Sequence, residues 1–133
     1  MVRVRTIIGG TLVLLAVCAG TWAAAQTAAP AGDPAKGKAV FAICSGCHVL
    51  TGISFAGPPL AGVVGRKAGT AKGFDYSQPL KASGIVWGDQ TLDRFLTDPS
   101  VAVPGTAMFS NVPDAQDRAD VIAYLKTVPA PAP

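Results

Sequence analysis

Apolar and polar positions change rhythm several times along the chain, and each change marks a boundary. Arg3 and Arg5 precede the apolar run Ile7–Ala19, which ends in Ala23-Ala24-Ala25. A charged start, a hydrophobic middle and small residues at the exit match a secretory signal, residues 1–25, cleaved after about Ala25. The run is shorter than the ~20 residues a membrane span wants, so an uncleaved anchor is the alternative. Cys18, behind the indifferent lipobox Leu15-Ala16-Val17, is a further one as a lipidation site. Residues 26–32 form an Ala/Pro linker, and the domain proper is expected over 33–128.

Within that domain three segments read as main helices. Asp33 caps a helix that opens on Pro34 and runs to about Ala42. Gly37 and Phe41, four apart, share one of its faces. A glycine there costs about 1 kcal/mol relative to alanine and signals close approach by another element. Asp89 or Thr91 caps a second helix through Leu92, Phe95 and Leu96, stopped by Asp98-Pro99. The last starts at Asp114, with Asp117 and Asp120 placing negative charge in its early turns, and carries Val121, Tyr124, Leu125 and Val128 on an apolar face. Val49–Gly65 and Ser100–Met108 are loops punctuated by Gly and Pro. Residues 129–133 are a Pro/Ala tail expected to be disordered.

Composition agrees with one compact domain joined by many turns: 133 residues, 50% hydrophobic, with 15 Gly and 11 Pro. The formal charge of +3 falls to +1 once Arg3 and Arg5 go with the signal. So balanced a chain is not a nucleic-acid binder.

The chemistry concentrates in Cys44-Ser45-Gly46-Cys47-His48. Two thiols three residues apart, followed at once by an imidazole, are the attachment pattern of a c-type haem. The spacing lets both sulfurs add to neighbouring vinyl groups while His48 swings under the iron. Other metal readings fail on ligand number. Structural zinc needs four protein ligands and an iron–sulfur cluster usually four thiolates, whereas His48 is the only histidine and Cys18 the only other cysteine. A thioredoxin-like dithiol would need a βαβ pattern that the flanks Asp33–Phe41 and Val49–Gly65 do not supply.

Taken together, Gly37-x-x-x-Phe41-x-x-Cys44-x-x-Cys47-His48 resembles the N-terminal segment of the class I, mitochondrial-type cytochromes c and their bacterial relatives. The likeness continues in order through Gly57-Pro58, Gly65-Arg66-Lys67, Gly73-Phe74-x-Tyr76, Gly84-Ile85-x-Trp87, Pro104-Gly105-Thr106-x-Met108 and Ala123-Tyr124-Leu125-Lys126. It implies an all-α fold, three main helices plus short helices and loops wrapped around one covalent haem. In that fold Gly37 and Phe41 are expected to meet Val121 and Tyr124. The resemblance further implies that the Pro58 carbonyl accepts the Nδ1–H of His48, that Tyr76, Ser77 and Trp87 sit at the haem propionates with Arg66 nearby, and that Met108 is the sixth iron ligand. Such donors are what two partly buried carboxylates require; as ordinary residues, Tyr76 and Trp87 would be core aromatics and Arg66 a solvated loop cation.

The chain also departs from the family pattern. Leu80 stands where an asparagine is usual and Phe95 where a tyrosine is. Phe109-Ser110-Asn111 is one residue short of the mitochondrial stretch. Ile43, Ser100, Val101 and Ala107 occupy rim positions where lysines would be expected; Lys36, Lys38, Lys67, Lys72 and Lys81 lie elsewhere.

These features predict a non-enzymatic, periplasmic one-electron carrier carrying haem c on Cys44 and Cys47. It would act as a monomer between redox protein partners, and touch a membrane only if the N-terminal segment is retained. The rival is a haem enzyme or gas sensor with an open sixth position, for which the chain has no second histidine.

Overall fold

A computed structural model describes residues 30–54 and 56–132. The expected signal, the first four residues of the linker and Pro133 lie outside that range. The described chain is helical without named strands: α1 Pro34–Val40, a 3-10 turn Phe41–Ile43, α2 Gln78–Ala82, α3 Asp89–Thr97, α4 Pro99–Ala102 and α5 Ala115–Lys126. None of these helices is long and apolar enough to cross a membrane.

α1 begins where the local chemistry says it should. The Asp33 carboxylate accepts the Ala35 and Lys36 amide hydrogens at 2.8 and 3.4 Å, with Pro34 in the first turn. α1 then crosses α5 so closely that a Cβ on Gly37 would collide with the Asp120 carbonyl and stand 2.8 Å from the Tyr124 Cβ. Phe41 meets Tyr124 with ring centroids 5.5 Å apart. Tyr124 meets both residues as expected, while at Gly37 itself the nearest neighbour is Asp120 rather than Val121. Residues 120 and 124 lie one above the other on a helix, and Val121, fully buried, belongs to the neighbouring stripe with Leu125, which lines an interior cleft.

Asp120 does more than place negative charge in the early turns of α5. It is buried, accepting the Asp33 N–H at 2.7 Å and a Gln116 Nε2 hydrogen at 2.8 Å. Those bonds, the Asp33 amide foremost, hold its carboxyl below the usual carboxylate range. Gln116 also donates to the Ala31 carbonyl at 2.8 Å, and Gly32 lies directly on Ala119. The last residues assigned to the linker thus pack on α5. At the other end, the Gly62 N–H reaches the Val128 carbonyl at 3.0 Å and Ala130 lies over Gly62.

α3 is capped by Gly88 rather than by Asp89 or Thr91. Thr91 supports the cap from inside the first turn, its Oγ1 accepting the Gly88 N–H at 2.8 Å. Asp89 instead pairs with Lys126 at 2.7 Å. Asp98 stops α3 and at once starts α4, its carboxylate accepting the Ser100 and Val101 amides at 3.0 and 3.1 Å. α5 starts as expected, Asp114 capping the Asp117 amide at 2.9 Å. Between α1 and α3, short backbone pairings join Gly65–Ala68 to Ile85–Trp87. The three main helices and these loops leave one large apolar cleft between them.

Candidate functional site

The cleft spans about 1330 Å³, including its open mouth. Cys44, Cys47 and His48 reach it from the turn after α1, where the Cys47 and His48 amides both donate to the Cys44 carbonyl, at 3.1 and 2.9 Å. That single turn of backbone puts both thiols and the imidazole at one wall. Neither sulfur is tied up in a disulfide, and burial pushes the Cys44 thiol above its ordinary value.

His48 is held at one nitrogen. Its Nδ1 lies 2.9 Å from the Pro58 carbonyl oxygen, which can only accept, so Nδ1 carries the proton and Nε2 is left with its lone pair. The preceding residue makes this possible: a Cβ on Gly57 would stand 2.7 Å from the His48 Cε1. Gly57 appears in the sequence as turn punctuation; its role against the imidazole depends on a fold contact.

The polar groups expected at haem carboxylates all line the same cleft. The Arg66 guanidinium donates to the Pro59 and Ala61 carbonyls at 2.8 and 3.1 Å, and burial lowers its pKa. Tyr76 is buried, which raises its pKa despite the nearby Arg66 charge. Trp87 packs on Phe95 with centroids 5.0 Å apart. Ser77 Oγ is buried without a hydrogen-bonding partner. Such a hydroxyl is costly unless a ligand atom completes it.

Met108 enters from the loop after α4, half-buried, its amide 3.4 Å from Thr106 Oγ1. The remaining wall is apolar, with Val63, Leu80, Leu92, Phe95, Leu96 and Val121 all buried. Leu80 and Phe95, the two departures from the family pattern, thus face the cleft without a polar group. At the mouth, Ile43 and Phe109 are 62% and 91% exposed, so the aromatic after Met108 does not close the edge. Val101 on α4 is 75% exposed.

A flat apolar macrocycle with two carboxylates matches this lining: adjacent thiols, an oriented imidazole, a thioether, a buried hydroxyl lacking a partner and aliphatic walls. Fold and site together define a helical c-type haem protein. The family model described as Cytochrome c matches residues 34–129. The chain is 50% identical over 105 residues to a cytochrome c of Tetrahymena pyriformis, covering 77% of this chain and 95% of that one. It is 48% identical over 109 residues to cytochrome c2 of Rhodomicrobium vannielii, covering 80% and 86%. Among solved structures, cytochrome cH from Methylobacterium extorquens superposes with a TM-score of 0.69 at 46% identity, covering 72% of this chain and 99% of that one.

The chain belongs to the cytochrome c family. Its members are haem-based electron carriers rather than enzymes, and the prosthetic group is a c-type haem attached through Cys44 and Cys47.

Proposed function

We propose that this protein is a periplasmic one-electron carrier whose iron is held by His48 and Met108. The observation that carries this reading is one cleft gathering both thiols, an imidazole fixed at Nδ1 by Pro58, and Met108. When bound, the haem supplies a one-electron ferric/ferrous couple. His48 Nε2 and the Met108 sulfur would both hold its iron, leaving no place for substrate or gas. Pro58 keeps the imidazole ring in one orientation, limiting rearrangement between oxidation states. Arg66, Tyr76, Ser77 and Trp87, all lining the cleft, would meet the propionates. Leu80, Phe95 and the other aliphatic walls exclude water and disfavour the more positive ferric state, raising the potential together with the methionine ligand.

The signal pattern of residues 1–25 supports export, and the exposed mouth at Ile43 and Phe109 supports brief contacts with redox protein partners. Met108→Ala tests the ligand set. The haem stays attached, since the thioether bonds do not involve Met108, while the ferric protein loses the sulfur-to-iron absorption band at the red end and binds azide rapidly. A wild-type protein that already lacks the band and takes up azide at once would favour an open-site enzyme or sensor.

A further inference from the structure

The loop carrying Met108 is fastened at its far end by a buried guanidinium. Arg118, on α5, is 9% exposed. Its Nη1 donates to the carbonyls of Val112 and Pro113 at 2.9 and 2.8 Å, and its Nε meets Asp93 Oδ1 on α3 at 2.6 Å. α3 holds the same stretch directly, its Leu96 carbonyl accepting the Val112 N–H at 2.8 Å. Val112 is buried, whereas Phe109, Ser110 and Asn111 before it are exposed. Beyond Met108 the loop is tied first by a long 3.4 Å bond from Asn111 Nδ2 to the Thr97 carbonyl and then by shorter bonds at Val112 and Pro113, two of which Arg118 makes. Neither Arg118 nor Asp93 lines the cleft.

We infer that Arg118, itself aimed by Asp93, is the positioning residue that holds Met108 toward the iron. This rests on the ligation of Met108 proposed above. A guanidinium is suited to the task because its rigid fork can serve a carboxylate and two carbonyls at once, which a lysine ammonium on a flexible stem does not reproduce. Asp93 compensates the buried charge and sets the plane of the fork. Without the fork, the Val112 and Pro113 carbonyls lose their donor, and the segment from Met108 to Pro113 is held only by the bonds of Val112 and Asn111 to α3, which loosens Met108.

The test uses the haem-loaded full-length protein. Arg118→Met keeps the side-chain bulk and removes the fork; Arg118→Lys keeps the charge alone; Asp120→Asn, remote from the loop, serves as the control for general loss of stability. Both Arg118 variants are expected to retain attached haem, to lose intensity in the sulfur-to-iron band, and to bind azide about tenfold more tightly or better, as loss of charge-assisted hydrogen bonds implies. Asp120→Asn should leave band and azide affinity unchanged even if it melts earlier. Asp93→Asn, the milder change if Arg118→Met does not accumulate, should shift azide affinity in the same direction by less. Wild-type azide affinity in Arg118→Met, or in Asp93→Asn where that variant must stand in, overturns the inference. Met108→Ala run in parallel separates the two failures: if it opens the site while Arg118→Met stays closed, only this inference falls, and if wild type is already as open as Met108→Ala, the ligand assignment falls and takes this inference with it.

Discussion

Gly37 and Asp120 touch backbone to backbone, with no room between α1 and α5 for a single methyl group. The neighbour a Cβ would strike is a main-chain carbonyl inside a helix, which cannot rotate away. Gly37→Ala would gain about 1 kcal/mol in helix propensity yet force the helices apart at a cost of about 2–3 kcal/mol. The net expectation is a less stable protein, read as a lower midpoint in denaturant with attached haem unchanged. A variant as stable as wild type would mean the crossing is looser than this contact requires.

Ser77 offers a test with opposite signs for opposite readings. A buried hydroxyl with no partner is a liability, so its removal would stabilise the protein. If Ser77 instead donates to a haem carboxylate, Ser77→Ala should destabilise the haem-loaded form by about 1–2 kcal/mol. Thermal melts of the two haem-loaded proteins decide between them, and a more stable variant would remove Ser77 from the carboxylate group.

Acid should loosen the fastening at Asp120. Its carboxyl titrates below the ordinary value near 3.9 because the Asp33 amide and Gln116 bond its ionised form. The stability it contributes is therefore fully present above about pH 4 and is lost as pH falls through the depressed value. Asp120→Asn should be less stable than wild type at neutral pH, with the difference shrinking below about pH 4. A difference that stays constant down to low pH would show that the bonded carboxylate is not the cause.

The mouth of the cleft should be indifferent to salt. Its exposed side chains, Ile43, Ala107, Phe109, Ser110 and Asn111, carry no charge, Val101 on α4 is exposed too, and two of the cations elsewhere are already paired, Lys81 with Asp75 and Lys126 with Asp89. Electron transfer to ferricyanide and from hexaammineruthenium(II), probes of opposite charge, should each change by less than about threefold between low and physiological ionic strength. Val101→Asp should make both rates salt-dependent, in opposite directions. A steep dependence in the wild-type protein would show that more distant lysines steer encounters at this face.

What could be read from the chain in advance follows from how local its cause is. Asp33 before Pro34, Asp114 before α5 and the thiol–thiol–imidazole spacing are each complete within a few residues, so helix starts and the attachment motif were legible. Asp98-Pro99 shows the limit: locally the pair reads as a stop, yet the same chemistry as Asp33-Pro34 makes it a start as well, and α4 follows. The bonding role of Asp120 has no local sign because its partner, the Asp33 amide, lies 87 residues away. Arg118 and Asp93 carry no local signal for the same reason, being 25 residues apart and joined only once α3 packs on α5. Gly57 marks a turn in the sequence, but its contact with His48, like the place of Val63 in the cleft wall, is set only by the fold.

Asp120 and Tyr124 on one side of α5, Val121 and Leu125 on the next, and Arg118 near its start divide the twelve residues of that helix among α1, the cleft and the methionine loop. Such a helix works like a camshaft, its tasks set by angle rather than by distance. Each residue advances the angle by about 100°, so inserting a single alanine after Arg118 would turn every later side chain to its neighbour's duty: Asp120 toward the cleft in place of Val121, Ala119 against Gly37 in place of Asp120. A chain that accepts length changes in its loops should accept none in this stretch, however conservative the residue added.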